Sequence, residues 1–534
     1  MVNNDKAQQK RIFLAVVLSF VFFIIYDYFF IPKPPLNVEQ NLTEEQNSSQ
    51  NASVANEAPA LKNTDSKILN DLNQNNSENS QNNIIAEIKS EHFDAKIDSL
   101  GRISSFILKD EKYKDKDGKA INLISSENSP YPLEIRFSDT KTNQEAFNVN
   151  YTANEKELFI DENSSKTLHL TQKLSKLEIQ KIITFYPRGN YEIEVKLSQN
   201  SPYFITPGFR PNIAVDSYTI HGVLVLDDKD TIHTYEDEDM DNDENIKNAK
   251  MTSAFDRYYA TSFYNFDKTL NITISKDAKQ NPLIFAYSDN EFKAGGYIGA
   301  KDHNTLKSID PRLEAVVEYG WFTFIAKPMF AFLNGIHNYT KNWGWAIIIM
   351  TLIVRVVLFP LTYKSMISMN KLKDLAPKMK DIRERYKADP QKMNTHMMEL
   401  YRKHGANPMS GCLPILLQIP IFFAIYRVLL NAIELKAAPW AFWIHDLSLM
   451  DPYFILPILM GLTMFAQQLI TPMTIQDPTQ AKIMKFLPLI FTFFFLAFPA
   501  GLTLYWFVNN LCSLVQQWVI NKLFAREHHR KESE

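Results

Sequence analysis

The chain has 534 residues, which is too long for a single ordinary domain. Its net charge is only −3, which excludes the overall basic surface of a general nucleic-acid-binding protein. Residues 33–310 are polar and rich in Asn, Ser, Asp and Lys, whereas residues 343–523 are mostly apolar. The composition therefore predicts a polytopic α-helical membrane protein with a large polar domain.

Six apolar segments have, or approach, the ~20 residues that a helix needs to cross a bilayer. The fifth is short, and the Pro-Ala-Gly sequence that follows it predicts a tight turn, so the last two segments should form a helical hairpin. The segments are 12–31, 343–363, 413–433, 453–470, 486–498 and 502–523.

The basic residues between these segments predict one orientation, because cytoplasmic loops are enriched in Lys and Arg. Three cations precede the first segment and place the N-terminus in the cytoplasm, so residues 33–342 lie outside. The loop 364–411 is strongly basic and returns inside. The loop 434–452 has one lysine against three acidic residues, as expected outside, and the tail 524–534 ends inside.

The first segment is either an uncleaved signal anchor or a cleaved signal peptide. Its apolar run is long, and PKPP follows it where a small-x-small cleavage site would stand, so residues 1–32 are predicted to be an anchor. The Asn- and Ser-rich stretch 33–83 predicts a disordered linker. The two cysteines, Cys412 and Cys512, fall at or within apolar segments, so the polar domain is predicted to fold without disulfides.

Residues 84–310 alternate between apolar and polar side chains, which predicts that the outer domain is a β-sandwich. The stretch 92–110 predicts two strands around a turn at Gly101, and the stretch 176–199 predicts two more around the turn PRGN. LNITISKD and PLIFAYSD continue this pattern.

The run YEDEDMDNDEN spaces Asp237, Asp239 and Asp241 as in a calcium-binding loop. Asn242 stands where such a loop needs glycine, and Asn248 stands where it needs glutamate. We therefore predict a solvated acidic loop, and no metal or cofactor is expected.

Residues 311–342 have apolar faces interrupted by charges, which predicts an amphipathic helix on the outer membrane surface. The alternative is a helix packed on the sandwich. On the other side, residues 364–411 predict a helical hairpin broken at Pro390. It is either a solvated helix pair or a basic docking arm for anionic lipid, ribosomal RNA or an acidic protein. Its predicted docking residues are Lys378, Lys380, Arg383 and Arg385.

Arg355 lies deep in the second apolar segment, roughly 18 Å along the helix from Trp343 at ~1.5 Å per residue. Charges inside a membrane are costly and usually face a protein interior or a wet cavity. Thr351, Arg355 and Thr362 share one helical face. These residues predict a hydrated groove, with hydrogen bonds that serve only packing as the alternative.

Polar residues in the other segments extend this pattern. Gln418 and Gln467 lie near the inner ends of the third and fourth segments. In the last segment, Tyr505, Asn509, Cys512 and Gln516 share a face. The five segments after the first contain no acidic residue, which disfavours a proton relay or a cation transporter. No catalytic motif is present, so no enzymatic activity is expected.

Four stretches follow one another through residues 343–523. They are WGWAIIIMTLIVRVVLFPLT, NPMSGCLPILLQIPIFFAIYRVL, WIHDLSLMDPYFILPILMG and FPAGLTLYWFVNNLCSLVQQ. In these stretches the chain resembles the YidC/Oxa/Alb family of membrane protein insertases, in the Gram-negative form with a large periplasmic domain. The polar domain matches mainly by layout, with FDRYYA and GGYIGAKD as local similarities.

The resemblance implies five core helices around a hydrophilic groove that is open to the cytoplasm and to lipid but closed outside. It implies that the groove arginine is Arg355 and that the threonine one turn earlier is Thr351. It also implies that the substrate-contacting aromatic pair is Tyr505 and Trp506, although many relatives have tyrosine at the latter position. The cytoplasmic hairpin would be 364–408, and the outer domain would be a β-supersandwich.

The function that the resemblance implies is insertion of nascent inner-membrane proteins, alone or with the Sec translocon. The ribosome, the signal recognition particle receptor and membrane lipids are further implied partners. Arg355 would hold water and a positive field where an acidic client segment lodges, before the client moves sideways into lipid. Two other classes stay open: a polar-solute transporter or channel, which would need an outer opening, and a scaffold for membrane complex assembly.

Overall fold

The computed structural model describes residues 83–533 except 116, 125–128, 216–218, 318, 406–412 and 472–477. The chain forms two compact units, which divide between Gly299 and Ala300. The predicted anchor and nearly all of the predicted linker lie outside the described residues.

The described residues of the first unit form strands and one helix, α1 (Thr140–Asn148). Several of these strands alternate between buried and exposed side chains, which is the pattern of sheets with one covered face, whereas others are buried along their whole length. The strands are β1 (Ile84–Ser90), β2 (Phe93–Asp98), β3 (Ile103–Leu108), β4 (Ile135–Phe137), β5 (Thr152–Ala153), β6 (Glu157–Ile160), β7 (Lys166–Lys173), β8 (Glu178–Phe185), β9 (Asn190–Leu197), β10 (Tyr203–Ile205), β11 (Gly222–Leu226), β12 (Ile232–Glu236), β13 (Glu244–Ala249), β14 (Met251–Phe255), β15 (Tyr259–Tyr264), β16 (Leu270–Lys276), β17 (Pro282–Ser288) and β18 (Phe292–Ala300).

These strands form three sheets. Their orders are β3-β2-β1-β6, then β13-β16-β17-β10-β4, and β12-β11-β14-β15-β18-β9-β8-β7-β5. In the five-stranded sheet, β17 contacts β11 and β14 of the nine-stranded sheet. The prediction of a sheet-rich domain is confirmed, with three sheets where a simple sandwich has two.

The predicted local hairpins are also confirmed. β2 and β3 pair antiparallel around Gly101, and β8 and β9 pair antiparallel around the PRGN turn. Gly189 in that turn has φ +86°, and a Cβ there would lie 2.4 Å from the carbonyl oxygen of Ile298. Only glycine fits this position, because both the backbone conformation and the close approach exclude a side chain.

A network of buried charges lies inside the first unit. Glu134 bridges two arginines: Arg102 Nη1 donates to its Oε2 at 2.8 Å, and Arg136 Nε donates to its Oε1 at 2.8 Å. Arg102 Nε also donates to Asp98 Oδ2 at 2.9 Å. The wholly buried Lys181 donates from Nζ to two backbone carbonyls, at 2.9 and 2.8 Å. The network holds three basic groups and two carboxylates.

The acidic run is only partly a solvated loop: its ends belong to β12 and β13, and Met240 and one of its carboxylates are buried. Asp237 is buried, and its carboxylate pairs with Arg210 and lies 2.9 Å from His221 Nδ1. Asp239 and Asp241 are exposed, as predicted. The prediction of a wholly solvated loop is therefore wrong at Asp237, because an arginine distant in sequence folds against it. Among the residues described, no group of three acidic, His or Cys side chains could hold a metal ion.

The first unit is predicted to fold by itself. A soluble fragment of residues 84–310 should give a β-rich circular dichroism spectrum and a cooperative melt. The melt should not respond to reductant, because the fragment contains no cysteine. Thermal denaturation with and without dithiothreitol measures this. A helical or unfolded spectrum would contradict the assignment.

The second unit is helical. Two short 3₁₀ helices, Pro311–Val316 and Gly320–Phe322, follow its first helix. The α-helices are α2 (His303–Ile309), α3 (Thr323–Thr340), α4 (Trp343–Asp374), α5 (Ala376–Arg385), α6 (Pro390–Lys403), α7 (Leu413–Asn431), α8 (Ile455–Ile470), α9 (Pro478–Phe495) and α10 (Ala500–Ser533).

The predicted amphipathic helix is shorter than its sequence suggested. α3 begins only at Thr323, because the segment before it forms the 3₁₀ helices and contains Gly320 at φ +68°. Within α3, Phe330 and Leu333 are buried, whereas Phe324 and Tyr339 are exposed. The helix therefore has one covered face and one face with exposed aromatic rings.

The predicted hairpin is helical, but its first part belongs to another element. α4 continues unbroken to Asp374, so residues 364–374 extend the apolar helix instead of starting the hairpin. The break comes before Pro377 in the first turn of α5, and a second break comes before Pro390. Proline suits the first turn of a helix because its missing N–H has no partner there.

Among the described helices, only α4 is both long enough and apolar enough to cross a membrane. The shorter apolar helices are Gln418–Asn431, Ile455–Ile470 and Lys485–Phe495. The tight turn predicted between the last two segments is confirmed, since α9 ends at Phe495 and α10 begins at Ala500.

Candidate functional site

A pocket lies among α4, α7 and α10. Five of its nine described lining residues are polar and four are apolar, and none of the nine is acidic. The lining residues are Val354, Arg355, Leu358, Leu361, Thr362, Gln418, Ile421, Tyr505 and Asn509.

Arg355 is anchored in this pocket by one residue of the facing helix. Its Nε donates to Oδ1 of Asn509 at 2.8 Å, and its Nη2 donates to the backbone carbonyl of Asn509 at 3.1 Å. The same carbonyl accepts a hydrogen bond from Ser513 Oγ at 3.0 Å. The positive charge is thus held by neutral acceptors.

Helical periodicity places these groups together. On α4, Arg355 and Thr362 are seven residues apart and therefore lie on one face. On α10, Tyr505 and Asn509 are four residues apart, and both are at least nine-tenths buried. Gln418 reaches the pocket from α7. The arrangement brings one guanidinium together with amides and hydroxyls between three helices.

Four of the seven predicted groove residues line this pocket, namely Arg355, Gln418, Tyr505 and Asn509. Thr351, Gln467 and Trp506 are not among the lining residues. Thr351 is buried and donates from Oγ1 to the carbonyl of Ile347 in its own helix, at 2.7 Å. Gln467 lies on α8, which contributes no lining residue. A role in a substrate groove stays a prediction for all seven.

Trp506 follows Tyr505 in sequence, so it lies about 100° further around α10. Its ring packs among Phe422, Phe491 and Phe495, with centroids 4.5 to 6.5 Å away. Its indole Nε1 is buried without a hydrogen-bond partner.

Thr362 lines the pocket but is not among the predicted groove residues. Its spacing of seven from Arg355 is the sequence signal for this position, because that spacing puts both residues on one face of α4. Thr351, on the same predicted face, donates its hydroxyl hydrogen bond within α4.

Hydrogen-bonded amide side chains near the inner end of the bundle were not predictable from the sequence. Asn521 Oδ1 accepts from Asn370 Nδ2 at 3.1 Å and from Gln517 Nε2 at 2.8 Å. Asn521 Nδ2 donates to the carbonyl of Ile470 at 3.0 Å. These bonds connect α4, α8 and α10 just before α4 leaves the bundle toward α5.

The basic hairpin is held together by an apolar seam. Leu372, Leu375, Met379 and Met397 form a buried cluster between α4, α5 and α6. The predicted docking residues all lie on α5, where an amphipathic helix turns its polar face outward.

Lys378, Lys380 and Arg385 are exposed, and Arg383 is half-buried. Two of the four lie beside carboxylates of their own helix: Lys380 is 4.0 Å from Glu384, and Arg385 is 2.9 Å from Asp381. Their role in docking stays a prediction.

Two protein families match consecutive parts of the chain. The family described as "YidC periplasmic domain" matches residues 86–332, and the family described as "60Kd inner membrane protein" matches residues 335–528. A relative from Campylobacter jejuni, named membrane protein insertase YidC, is 73% identical and covers 99% of each chain. A relative of the same name from Wolinella succinogenes is 50% identical over 97% of this chain and 96% of its own.

Among solved structures, an active YidC insertase with its first transmembrane domain resolved matches 80% of this chain and 90% of its own. That match has 20% identity and a TM-score of 0.36. From the two high-identity relatives and the two family matches, the chain belongs to the YidC family of membrane protein insertases.

Proposed function

We propose that this chain inserts nascent proteins into the bacterial inner membrane by receiving their polar segments in the pocket around Arg355. A client's hydrophobic segment then leaves the pocket sideways into lipid. Burial of apolar surface supplies the driving force at about 25 cal/mol per Å², so the reaction needs no nucleotide. Membership in the insertase family and the name shared by the close relatives support this assignment.

The observation that carries the mechanism is the anchoring of Arg355 by Asn509 in a pocket whose described lining residues include no acidic side chain. Placing a charge inside a membrane costs free energy. An arginine there is therefore more often functional than a residue that only packs. A lone guanidinium among amides and hydroxyls suits a transient polar segment better than a conducted cation.

The full architecture belongs to the same proposal. The protein has six transmembrane helices, with 1–32 as an uncleaved anchor, and both termini are cytoplasmic. A β-supersandwich at 84–310 and an interfacial helix within 311–342 lie in the periplasm. The insertase core spans 343–523 and carries the cytoplasmic hairpin. The positive-inside pattern and the exposed aromatic face of α3 support this arrangement.

The client contacts the groove residues along α4, α7, α8 and α10, and no group on this path carries out covalent chemistry. Partners other than the client are recognised by the hairpin and by the membrane-facing helices. They are the Sec translocon, the ribosome, the signal recognition particle receptor and membrane lipids. The exposed lysines of α5 support electrostatic docking there.

Photocrosslinking tests the proposed path. A photoreactive residue in place of Tyr505 should crosslink to ribosome-bound nascent membrane proteins. The same probe at Val515 is the matched control, because Val515 lies on the same helix and is exposed outside the pocket. Equal crosslinking from both positions would contradict a groove path. A small solute that competes stoichiometrically at position 505 would instead support a transporter.

Charge reversal on α5 is predicted to weaken docking. Lys378→Glu, Lys380→Glu and Arg383→Glu together should lower binding to ribosomes or anionic vesicles. The loss should be largest at low salt, because exposed charges are screened beyond about 10 Å at 0.1 M salt. Cosedimentation across a salt series measures this. Binding that does not change with salt would contradict an electrostatic dock.

A further inference from the structure

Arg355 donates two hydrogen bonds to one neutral residue, Asn509. A guanidinium has five N–H donors. Asn509 accepts one through its side-chain oxygen, at 2.8 Å, and one through its backbone carbonyl, at 3.1 Å. These contacts leave three N–H donors that Asn509 does not use.

Two bonds to one residue fix the plane of the guanidinium as well as its position. Asn509 is itself immobile, because it is 5% exposed and its carbonyl also accepts from Ser513 Oγ. The anchor therefore holds Arg355 from one side and leaves the rest of the group to the pocket.

The chemistry of the anchor decides what the pocket attracts. An aspartate has nearly the same shape as asparagine but would form an ion pair with Arg355. In a medium of low dielectric constant, such a pair is strong and cancels the field of the arginine. An amide oxygen orients the guanidinium without neutralising it.

We propose that Asn509 is a specificity-determining residue: it positions Arg355 while leaving its charge for a carboxylate of the client. This inference rests on the proposed function and adds to it the residue that orients the groove arginine without neutralising it. A client with an acidic residue in its translocated segment supplies a counter-ion that none of the described lining residues provides.

The main test replaces Asn509 by aspartate in the full-length protein. Insertion into vesicles is measured for two clients that differ by one Asp-to-Asn change in the translocated segment. Asn509→Asp should lower the ratio of acidic-client to neutral-client insertion roughly tenfold, toward the ratio of Arg355→Ala, because a charge-assisted hydrogen bond is lost.

Asn510→Asp is the matched control. Asn510 is the next residue of α10, is also buried, and does not line the pocket. It should keep the wild-type ratio, because its carboxylate lies on a different face of the helix. A loss as large as that of Asn509→Asp would overturn the inference, since any buried carboxylate on α10 would then act alike.

The outcomes separate this inference from the proposed function. If Arg355→Ala loses the preference for the acidic client and Asn509→Asp keeps it, the inference is wrong and the groove mechanism stands. If wild type and both variants insert the two clients equally, the electrostatic groove itself is wrong.

A second experiment adds no buried charge, so it stays informative if Asn509→Asp does not fold. Arg355→Lys lacks the Nε donor that Asn509 accepts. Its effect on the ratio should therefore be a partial loss with Asn509 present, between wild type and Arg355→Ala, and should be roughly absent in an Asn509→Ser background, because interacting residues are not additive. Full additivity of the two changes would show that Asn509 does not position Arg355.

Discussion

Arg355→Ala is expected to slow insertion of clients with an acidic translocated segment roughly tenfold more than insertion of neutral clients. The alanine variant removes the pocket's positive charge, so an acidic segment would enter it without a counter-ion. The neutral client loses only the water that the guanidinium holds. The measurement is insertion of paired clients, differing by one acidic residue, into vesicles that contain each variant.

Arg355→Lys is expected to fall between wild type and alanine. Lysine brings the same charge into the pocket, so much of the preference for acidic clients should remain. It cannot reproduce the bond from Nε to Asn509, because an ammonium group lacks the planar fork of a guanidinium. A lysine variant as poor as alanine would show that geometry matters more than charge.

Arg427→Ala is the matched control for losing a buried arginine from the bundle. Arg427 lies on α7, is 8% exposed and does not line the pocket. Its replacement should leave the ratio between acidic and neutral clients at the wild-type value. Equal insertion of both clients by wild type and every variant would remove the electrostatic role of Arg355.

The second large effect concerns Lys181 in the sheet-rich unit, whose stability should rise with pH. Burial lowers the pKa of Lys181 from 10.5 to about 7, an effect that Arg102 reinforces and Asp98 opposes. Between these values the unfolded chain binds a proton that the folded domain does not. The free energy of unfolding therefore increases with pH, by at most about 1.4 kcal/mol per unit.

The hydrogen bonds of Lys181 agree with a neutral amine. Its Nζ donates to the carbonyls of Gly101 and Leu133, which matches the two N–H groups of an uncharged amine. Protonation adds a third positive charge beside two carboxylates. Acidification below about pH 7 charges Lys181 in the folded state as well, so this contribution to the pH dependence ends there.

Chemical denaturation of the 84–310 fragment tests this. Its stability should rise by roughly 2–3 kcal/mol between about pH 7.5 and 9.5, and Lys181→Met should remove that rise. Lys166→Met, an exposed lysine on β7, is the control and should keep it. A wild-type fragment whose stability is flat over this range, or a Lys181→Met variant that keeps the slope, would refute the prediction.

Sequence patterns predicted the local elements well, because each depends on residues close in the chain. The β8–β9 hairpin follows from period-two alternation on both sides of a glycine that needs positive φ. The polar face of α10 follows from a spacing of four between Tyr505 and Asn509. Arg355 could be predicted to be a site residue because burying an arginine within an apolar helix costs free energy whatever surrounds that helix.

Sheet order could not be predicted, because it depends on contacts between distant strands. β18 pairs with β9 although Phe292 and its partner Val195 are far apart in sequence. The charge network likewise joins Asp98 to Lys181 across separate strands. The alternation in β8 places Lys181 on the same face as the buried Ile179 and Ile183, but lysine is seldom fully buried, so only the fold shows that this side chain lies in the core.

The sequence by itself determined which helices carry polar faces, where the chain alternates as strands, and that Arg355 needs a polar environment. Only the tertiary structure decided which side chain meets that arginine. Asn509 accepts its two hydrogen bonds because α4 and α10 pack side by side, a contact between residues 154 positions apart. Periodicity defines one face of one helix, but the partner of that face depends on how the helices pack.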